Sequence, residues 1–186
     1  MKIFFDTEFT GLHKDTTLIS IGLVDENGRT FYAELTNYDK SQCDDWIQKN
    51  VIAHLKFNGE NCGQNDGQGH MEICGTKEEV KDYLTAWLSK YNGVQLVSDV
   101  CHYDMVLFFD LFGHAFKLPK GVNAACHDIN QDIAKFYGIS ETEAFDKSRE
   151  EIIADLTIDG DKHNALYDAK VIKAIYNIVN EKGEPK

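Results

Sequence analysis

Two acidic residues close the first apolar stretch of the sequence. Asp6 and Glu8 follow residues 3–5 and are two positions apart. Side chains with that spacing leave the same face of a β-strand. Adjacent like charges repel unless a cation lies between them. The pair therefore indicates either a cation site on a strand or a strand end that turns into solvent.

Two further acids stand where the pattern calls for apolar residues. Asp104 lies inside residues 103–109, a run typical of a buried helix. A buried carboxylate must be paired, protonated or bound to metal. Asp168 lies on the apolar stripe of an amphipathic helix predicted over residues 164–180. Either acid alone is compatible with a structural role, but with the first pair they indicate a cation site shared by a strand and two helices.

A histidine precedes the last helix. His163 is five residues before Asp168, about 140° around a helix, so both side chains face one site only if His163 lies on the preceding loop. A histidine beside metals is a candidate general base. Asp99, a rival acid, is expected to cap the helix that carries Asp104. The other histidines are expected at the surface: His13, His54, His70, His102, His114 and His127.

The elements that must position these residues follow from the apolar periodicity. Strands are predicted over residues 2–8, 18–24, 29–35, 94–98 and 124–129, and helices over 41–55, 76–91, 100–112, 130–137 and 164–180. Residues 58–75 are predicted to be a loop, and 146–159 receive no assignment. A meander followed by alternating helices and strands predicts a mixed α/β sheet with helices on its faces, in a single domain covering 1–186.

The charge of the chain restricts its partners. The net charge is −12, whereas a nucleic-acid binder usually carries a basic stripe. Divalent cations nevertheless allow an acidic enzyme to hold phosphates, because they invert the local field. The only arginines are Arg29 and Arg149, which argues against long contacts along a duplex.

Cysteine usage and hydropathy favour a cytoplasmic protein. The five cysteines are widely spaced without a C-x-x-C pair, so reduced thiols are expected. The first residues are charged too early for a signal peptide, and no apolar run approaches the roughly 18 residues of a membrane helix.

Three segments together resemble one enzyme family, the DEDD exonucleases of the histidine-containing branch. Asp6-Thr7-Glu8-Phe9-Thr10-Gly11 is similar to its first motif, D-x-E-x-T-G. Asp99-Val100-Cys101-His102-Tyr103-Asp104 resembles the second, N-x-x-x-[FY]-D, with Asp99 where the family often has Asn. Residues 163–168 are similar to the third, H-x-x-x-x-D. The three occur in the family's order across nearly the whole chain, in the compact size of a stand-alone exoribonuclease.

The resemblance implies an α/β, RNase H-like fold and a two-metal mechanism. Asp6, Glu8, Asp104 and Asp168 would hold two Mg²⁺, or Mn²⁺, and His163 would accept a proton from the attacking water. The substrate would be the 3′ end of single-stranded RNA or DNA, released as nucleoside 5′-monophosphates. The substrate-binding residues implied in this way are Phe9, Thr10, Gly11, Leu12 and Tyr103.

Three alternatives to an exoribonuclease stay open at this point. A 3′→5′ exodeoxyribonuclease would use the same residues, because discrimination rests on contacts to the 2′-OH. A non-catalytic oligonucleotide-binding module would not need His163. A structural calcium protein lacks a loop of EF-hand spacing to support it. The oligomeric state, a homodimer included, is not indicated by the sequence.

Overall fold

The computed structural model describes residues 1–57, 63–65 and 68–181. They contain a seven-stranded sheet with the strand order β4-β5-β3-β2-β1-β6-β7. Its strands are β1 (Lys2–Phe9), β2 (Leu18–Asp25), β3 (Thr30–Leu35), β4 (Gly63–Asn65), β5 (Met71–Gly75), β6 (Val94–Ser98) and β7 (Val122–Asp128). The first three strands form an antiparallel meander, while β6 runs parallel to β1 and β7 parallel to β6. The predicted mixed sheet is confirmed.

Seven α-helices accompany the sheet within the described part of the chain. They are α1 (Asp45–Asn50), α2 (Lys77–Leu88), α3 (His102–Leu111), α4 (Ile129–Tyr137), α5 (Glu141–Asp146), α6 (Arg149–Ile152) and α7 (Ala165–Glu181). Thr76 begins α2 with a capping box to Glu79, so the first helical amides are satisfied.

The helices cover both faces of the sheet. Helices α2 and α3 bury Leu84, Trp87 and Phe108 against one face, in a cluster that includes Phe5. Helices α4 and α7 bury their apolar residues against the other face, around Phe4. Since neighbouring residues of β1 point to opposite faces, the strand that carries Asp6 is held between two hydrophobic layers.

Several predicted elements differ from the structure. Residues 41–55 hold the short helix α1 between two 3₁₀ turns, Lys40–Gln42 and Ile52–His54, because the apolar residues there are too few to bury a long helix face. The predicted loop 58–75 contains β4 and β5, and its remaining residues 58–62 and 66–67 lie outside the described residues. The unassigned stretch 146–159 contains α6, and α5 was not predicted.

The structure bears on the expectation that the cysteines are reduced. Cys43, Cys101 and Cys126 are free, but Cys74 is disulfide-bonded, so the expectation of reduced thiols throughout is wrong for Cys74. Spacing along the sequence does not show which parts of the chain will lie beside a cysteine once it has folded. Cys74 lies on β5. Among the described residues, no helix is long and apolar enough to cross a membrane.

Candidate active site

The first strand delivers two acids to one cavity. Asp6 and Glu8 both line a cavity of about 330 Å³, together with His163 and Asp168. Thr7, between the two acids, points the other way and is 4% exposed. The strand alternation predicted from the spacing of the acids therefore holds, and the alternative of a strand end in solvent does not.

Asp104 lies deeper than the other acids, at 5% exposure. Its Oδ1 accepts hydrogen bonds from the backbone N–H and the hydroxyl of Thr7, at 3.1 and 2.5 Å. Its Oδ2 accepts a third from the hydroxyl of Ser98 at 2.6 Å. These donors join the side chain of α3 to β1 and β6, so the depth and orientation of Asp104 are fixed by the sheet.

A glycine allows α7 to reach the sheet beside the first acid. Gly22 is paired with Asp6 across β1 and β2. A Cβ at Gly22 would lie 2.3 Å from backbone atoms of Ala165 and Leu166. Only glycine therefore lets the first turn of α7, which carries Asp168, lie flat on the strand pair.

His163 lies on the loop immediately before α7, as predicted. Its backbone is in the left-handed region at φ 65°, which is uncommon for a residue other than glycine. The His163 N–H donates to Asp168 Oδ2 at 2.9 Å, and Asn164 accepts from the N–H groups of Leu166 and Tyr167. This loop conformation turns the imidazole back toward the acids: ligand atoms of Glu8, His163 and Asp168 lie within 4.8 Å of one another.

Burial and mutual repulsion strongly raise the pKa values of the acids. Burial, followed by the charges of Asp104, Asp168 and Glu8, raises the pKa of Asp6 well above its usual range. Burial, followed by the charges of Asp168 and Asp104, raises the pKa of Glu8 to about 8. Burial raises the pKa of Asp168 to about 7, although the His163 N–H opposes the shift.

The pKa values of Asp104 and His163 shift in opposite directions. Burial raises the pKa of Asp104 to about 6, opposed by the hydrogen bonds from Ser98 and Thr7. Burial and then the nearby Lys162 charge lower the pKa of His163, so the imidazole is neutral at neutral pH and free to accept a proton.

The charge balance of the site fits a cation. Within the described part of the chain, no lysine or arginine forms an ion pair with any of the four acids. Buried carboxylates without a counter-charge are costly, and clustered oxygen donors are the ligands that Mg²⁺ and Mn²⁺ prefer. The donor set therefore suits divalent metal ions.

An apolar cavity adjoins the acids on the other side of Glu8. It measures about 370 Å³ and is lined by Glu8, Phe9, Gly11, Leu12, Asp44, Trp46 and Ile47. Leu12 is 79% exposed and Trp46 is 53% exposed at its rim. The Trp46 ring also meets His163 edge-on, with ring centroids 5.2 Å apart. Large apolar side chains so exposed beside a polar site are typical of a ligand surface.

The other predicted substrate residues occupy different depths. Phe9 and Gly11 line the apolar cavity, whereas the Thr10 side chain is buried at 2% exposure and donates its hydroxyl to Gln42. Tyr103 stacks on Phe9 with ring centroids 5.3 Å apart, so it supports Phe9 from behind.

One expectation about the second motif is wrong. Asp99 does not cap α3, whose N-cap residue is Cys101 without a side-chain cap bond. The Asp99 carboxylate instead accepts hydrogen bonds from Arg149 Nε and Nη2, at 2.5 and 2.8 Å. Arg149 lies in residues 146–159, a region without a clear sequence pattern. Its side chain binds the carboxylate that would otherwise have capped the helix.

Comparison with known proteins places this geometry in a family. Residues 1–179 match the Rv2179c-like 3′-5′ exoribonuclease domain. The chain belongs to this family. Membership makes it a 3′→5′ exonuclease, a phosphodiester hydrolase, as the three motifs implied.

Curated relatives of the Rv2179c-like family show the same likeness. The 3′-5′ exoribonucleases Rv2179c and MT2234.1, from two strains of Mycobacterium tuberculosis, are each 27% identical to this chain over 131 residues. The matched region covers 70% of this chain and 73% of each relative.

Solved structures share the fold. The nuclease domain of 3′hExo, a DEDDh family member solved with rAMP, superposes with a TM-score of 0.66 at 15% identity, over 98% of this chain and 92% of that one. A full-length 3′-exonuclease gives 0.62 at 16% identity, over 98% and 82%. These likenesses confirm the RNase H-like arrangement of a mixed sheet flanked by helices.

Sequence reasoning missed two residues of the site in this Rv2179c-like domain. Trp46 belongs to the short helix α1, far from the three motifs in sequence. Arg149 belongs to α6 and lines the acidic cavity. A tryptophan in a strongly polar segment and one of only two arginines were the available sequence cues.

Proposed function

We propose that this protein is a two-metal-dependent 3′→5′ exoribonuclease that removes nucleoside 5′-monophosphates from single-stranded RNA. The observation that carries the proposal is that four acids, a neutral histidine and an apolar cavity meet in one part of the surface, and that no lysine or arginine of the described residues forms an ion pair with these acids. Membership of the exoribonuclease family supports RNA as the substrate.

The acids would hold the metals. Asp6 and Glu8 from β1, Asp168 from α7 and Asp104 behind them are the proposed ligands. Bound Mg²⁺ or Mn²⁺ would supply charge for the scissile phosphate, activate the attacking water and stabilise the leaving 3′ oxygen. The hydrogen bonds from Thr7 and Ser98 orient Asp104 in advance, so little reorganisation is needed when a cation arrives.

His163 would accept the proton of the attacking water. Its ring lies within 4.8 Å of the Glu8 and Asp168 oxygens, and its lowered pKa keeps it unprotonated at neutral pH. The hydrogen bond from its own N–H to Asp168 ties the loop to a proposed metal ligand. The base would therefore keep its position relative to a proposed metal ligand rather than to a distant part of the fold.

The apolar cavity would bind the terminal nucleobase. Leu12 and Trp46 offer exposed apolar surface on its rim, and base stacking on aromatic side chains is tolerant of sequence. A volume of about 370 Å³ suits a base and its sugar better than a long strand. Phe9, stacked on Tyr103, forms part of the lining of this cavity.

The test uses two 5′-labelled single strands of the same sequence, one RNA and one DNA. The intact chain with Mg²⁺ should shorten the RNA stepwise from its 3′ end and release 5′-monophosphates, and chelation should stop the reaction. Asp6→Asn and Asp104→Asn should abolish turnover while the fold survives, since each removes a charged ligand. Faster loss of the DNA strand would make it an exodeoxyribonuclease, and binding without turnover would make it a binding module.

A further inference from the structure

The single helical turn α6 closes one wall of the acidic cavity. Arg149 and Glu150 both line the cavity that holds Asp6, Glu8 and Asp168. Glu150 pairs with Lys162 at 2.6 Å, next to the His163 loop. Arg149 pairs with Asp99, and their side chains are only 17% and 22% exposed. The turn therefore joins the two sides of the cavity through ion pairs.

Arg149 has no donor left for a substrate. Its Nε and Nη2 donate to the two Asp99 oxygens, at 2.5 and 2.8 Å. Nη1 donates to the carbonyls of Ala144 and Lys147, at 2.9 and 2.7 Å, and Nη2 also donates to Asn130 Oδ1 at 2.7 Å. These bonds use all five donors of a guanidinium. Arg149 is thus committed to the protein and not available to a phosphate.

Asp99 is a further carboxylate at the edge of the site, paired with a base as Glu150 is. It lines the same cavity as Asp6, Glu8 and Asp168. Besides the two bonds from Arg149, its Oδ1 accepts a hydrogen bond from Asn130 Nδ2 at 2.9 Å. Both oxygens of Asp99 therefore bind donors from α6 and α4, so they do not compete with the other acids for a cation.

The backbone after Asp99 is strained. Val100 has φ 55°, in the left-handed region, where a β-branched residue is an outlier. Its carbonyl accepts from the His102 N–H at 2.8 Å, at the start of α3, and α3 carries Asp104. Strained backbone persists when its surroundings hold it, and the fixed Asp99 carboxylate holds the residue immediately before this turn.

We propose that Arg149 is a positioning residue that neutralises Asp99 and holds its carboxylate off the proposed metal site. This inference rests on the proposed two-metal function. Without Arg149, an unpaired Asp99 would add an uncompensated negative charge beside the four acids and would be free to turn toward a bound cation. Removing the Asp99 charge as well should then relieve the defect, although the ion pair stays broken.

The experiment compares Arg149→Gln, Asp99→Asn and the double variant, with Arg29→Gln as a control. Arg29 is the other arginine and lies at the β2–β3 turn, so the control removes the same charge elsewhere. Mn²⁺ binding is measured by calorimetry. Turnover is measured on single-stranded RNA with a free 3′ end across a range of Mg²⁺ concentrations, and Tm is measured with and without Mg²⁺.

Arg149→Gln should lower the Mn²⁺ dissociation constant, because it leaves an additional uncompensated carboxylate beside the cation, and should lower kcat by about 10- to 100-fold, the usual effect of disturbing a group that orients metal ligands. The double variant should return to within about threefold of Asp99→Asn in both measurements. Arg29→Gln should match the wild type.

Two results would overturn the proposal. If the double variant is as impaired as Arg149→Gln, or if both unfold while Asp99→Asn folds, Arg149 is a structural tie whose loss a neutral Asp99 does not repair. If Arg149→Gln binds Mn²⁺ and turns over RNA like the wild type, Arg149 has no positioning role. Failure of the proposed function itself looks different, because the wild type would then show no Mg²⁺-dependent shortening of RNA.

Discussion

Gly22→Ala should damage catalysis as well as stability, although Gly22 is not among the proposed substrate-binding residues. The new Cβ would lie 2.3 Å from the carbonyl carbon and oxygen of Ala165 and from the Leu166 nitrogen. Ordinary contacts begin near 3.4 Å, so the first turn of α7 must move away from the sheet by about 1 Å. That turn positions both His163 and Asp168.

The magnitudes follow from that displacement. Overpacking of this size costs about 1–3 kcal/mol of unfolding free energy, which for a chain of this length lowers Tm by roughly 2–12 °C. A misplacement of about 1 Å in a catalytic group costs about 10²-fold in rate. We therefore expect a folded protein with kcat reduced about 100-fold and a weaker stabilisation by Mg²⁺.

Ile21→Val provides the matched control. Ile21 precedes Gly22 on β2, is 0% exposed, and packs in the cluster on the opposite face with α2 and α3. Its substitution should lower stability by about 0.5–1.5 kcal/mol and leave kcat unchanged. Tm from thermal unfolding and kcat on 3′ single-stranded RNA are measured for both variants. If Gly22→Ala keeps wild-type kcat, the close approach of α7 does not set the site geometry.

Four further outcomes are expected. Glu8 and Asp168, with pKa values raised to about 8 and about 7, hold protons more tightly in the folded chain than in the unfolded one, so stability without metal should fall as pH rises from about 4 through 8; a Tm series should show this slope, and saturating Mg²⁺ should flatten it. His163→Ala should lower kcat about 10²–10⁴-fold with near-normal Mn²⁺ affinity in calorimetry, and loss of Mn²⁺ binding would instead make His163 a ligand. Trp46→Ala should raise KM for RNA roughly 5- to 150-fold through lost stacking, with Trp46→Phe restoring most of it, and equal KM values would exclude a base contact. With a net charge of −12, the log–log dependence of RNA affinity on salt should correspond to fewer than about six phosphates, and a steeper slope in binding titrations would contradict binding at the terminus alone.

The sequence alone indicated the chemistry that is proposed for this protein. Acids in apolar surroundings, spaced by two on a strand or placed on the buried stripe of a helix, are visible without coordinates because burying a charge needs a reason. The local elements were visible as well: β1, β6 and α7 follow from periodicity that each segment contains within itself. His163 was placed on a loop by helical geometry alone, and the structure confirms it.

Tertiary structure decided how those residues meet and what surrounds them. The partner of Asp99 is Arg149, 50 residues away, and no local pattern distinguishes that pairing from a helix cap. Trp46 reaches the site because α1 packs beside it, although α1 is too short to have a readable period. Gly22 looks like any strand glycine until Ala165 lies on it. Such contacts depend on how elements distant in sequence pack together, and a sequence read segment by segment does not contain that information.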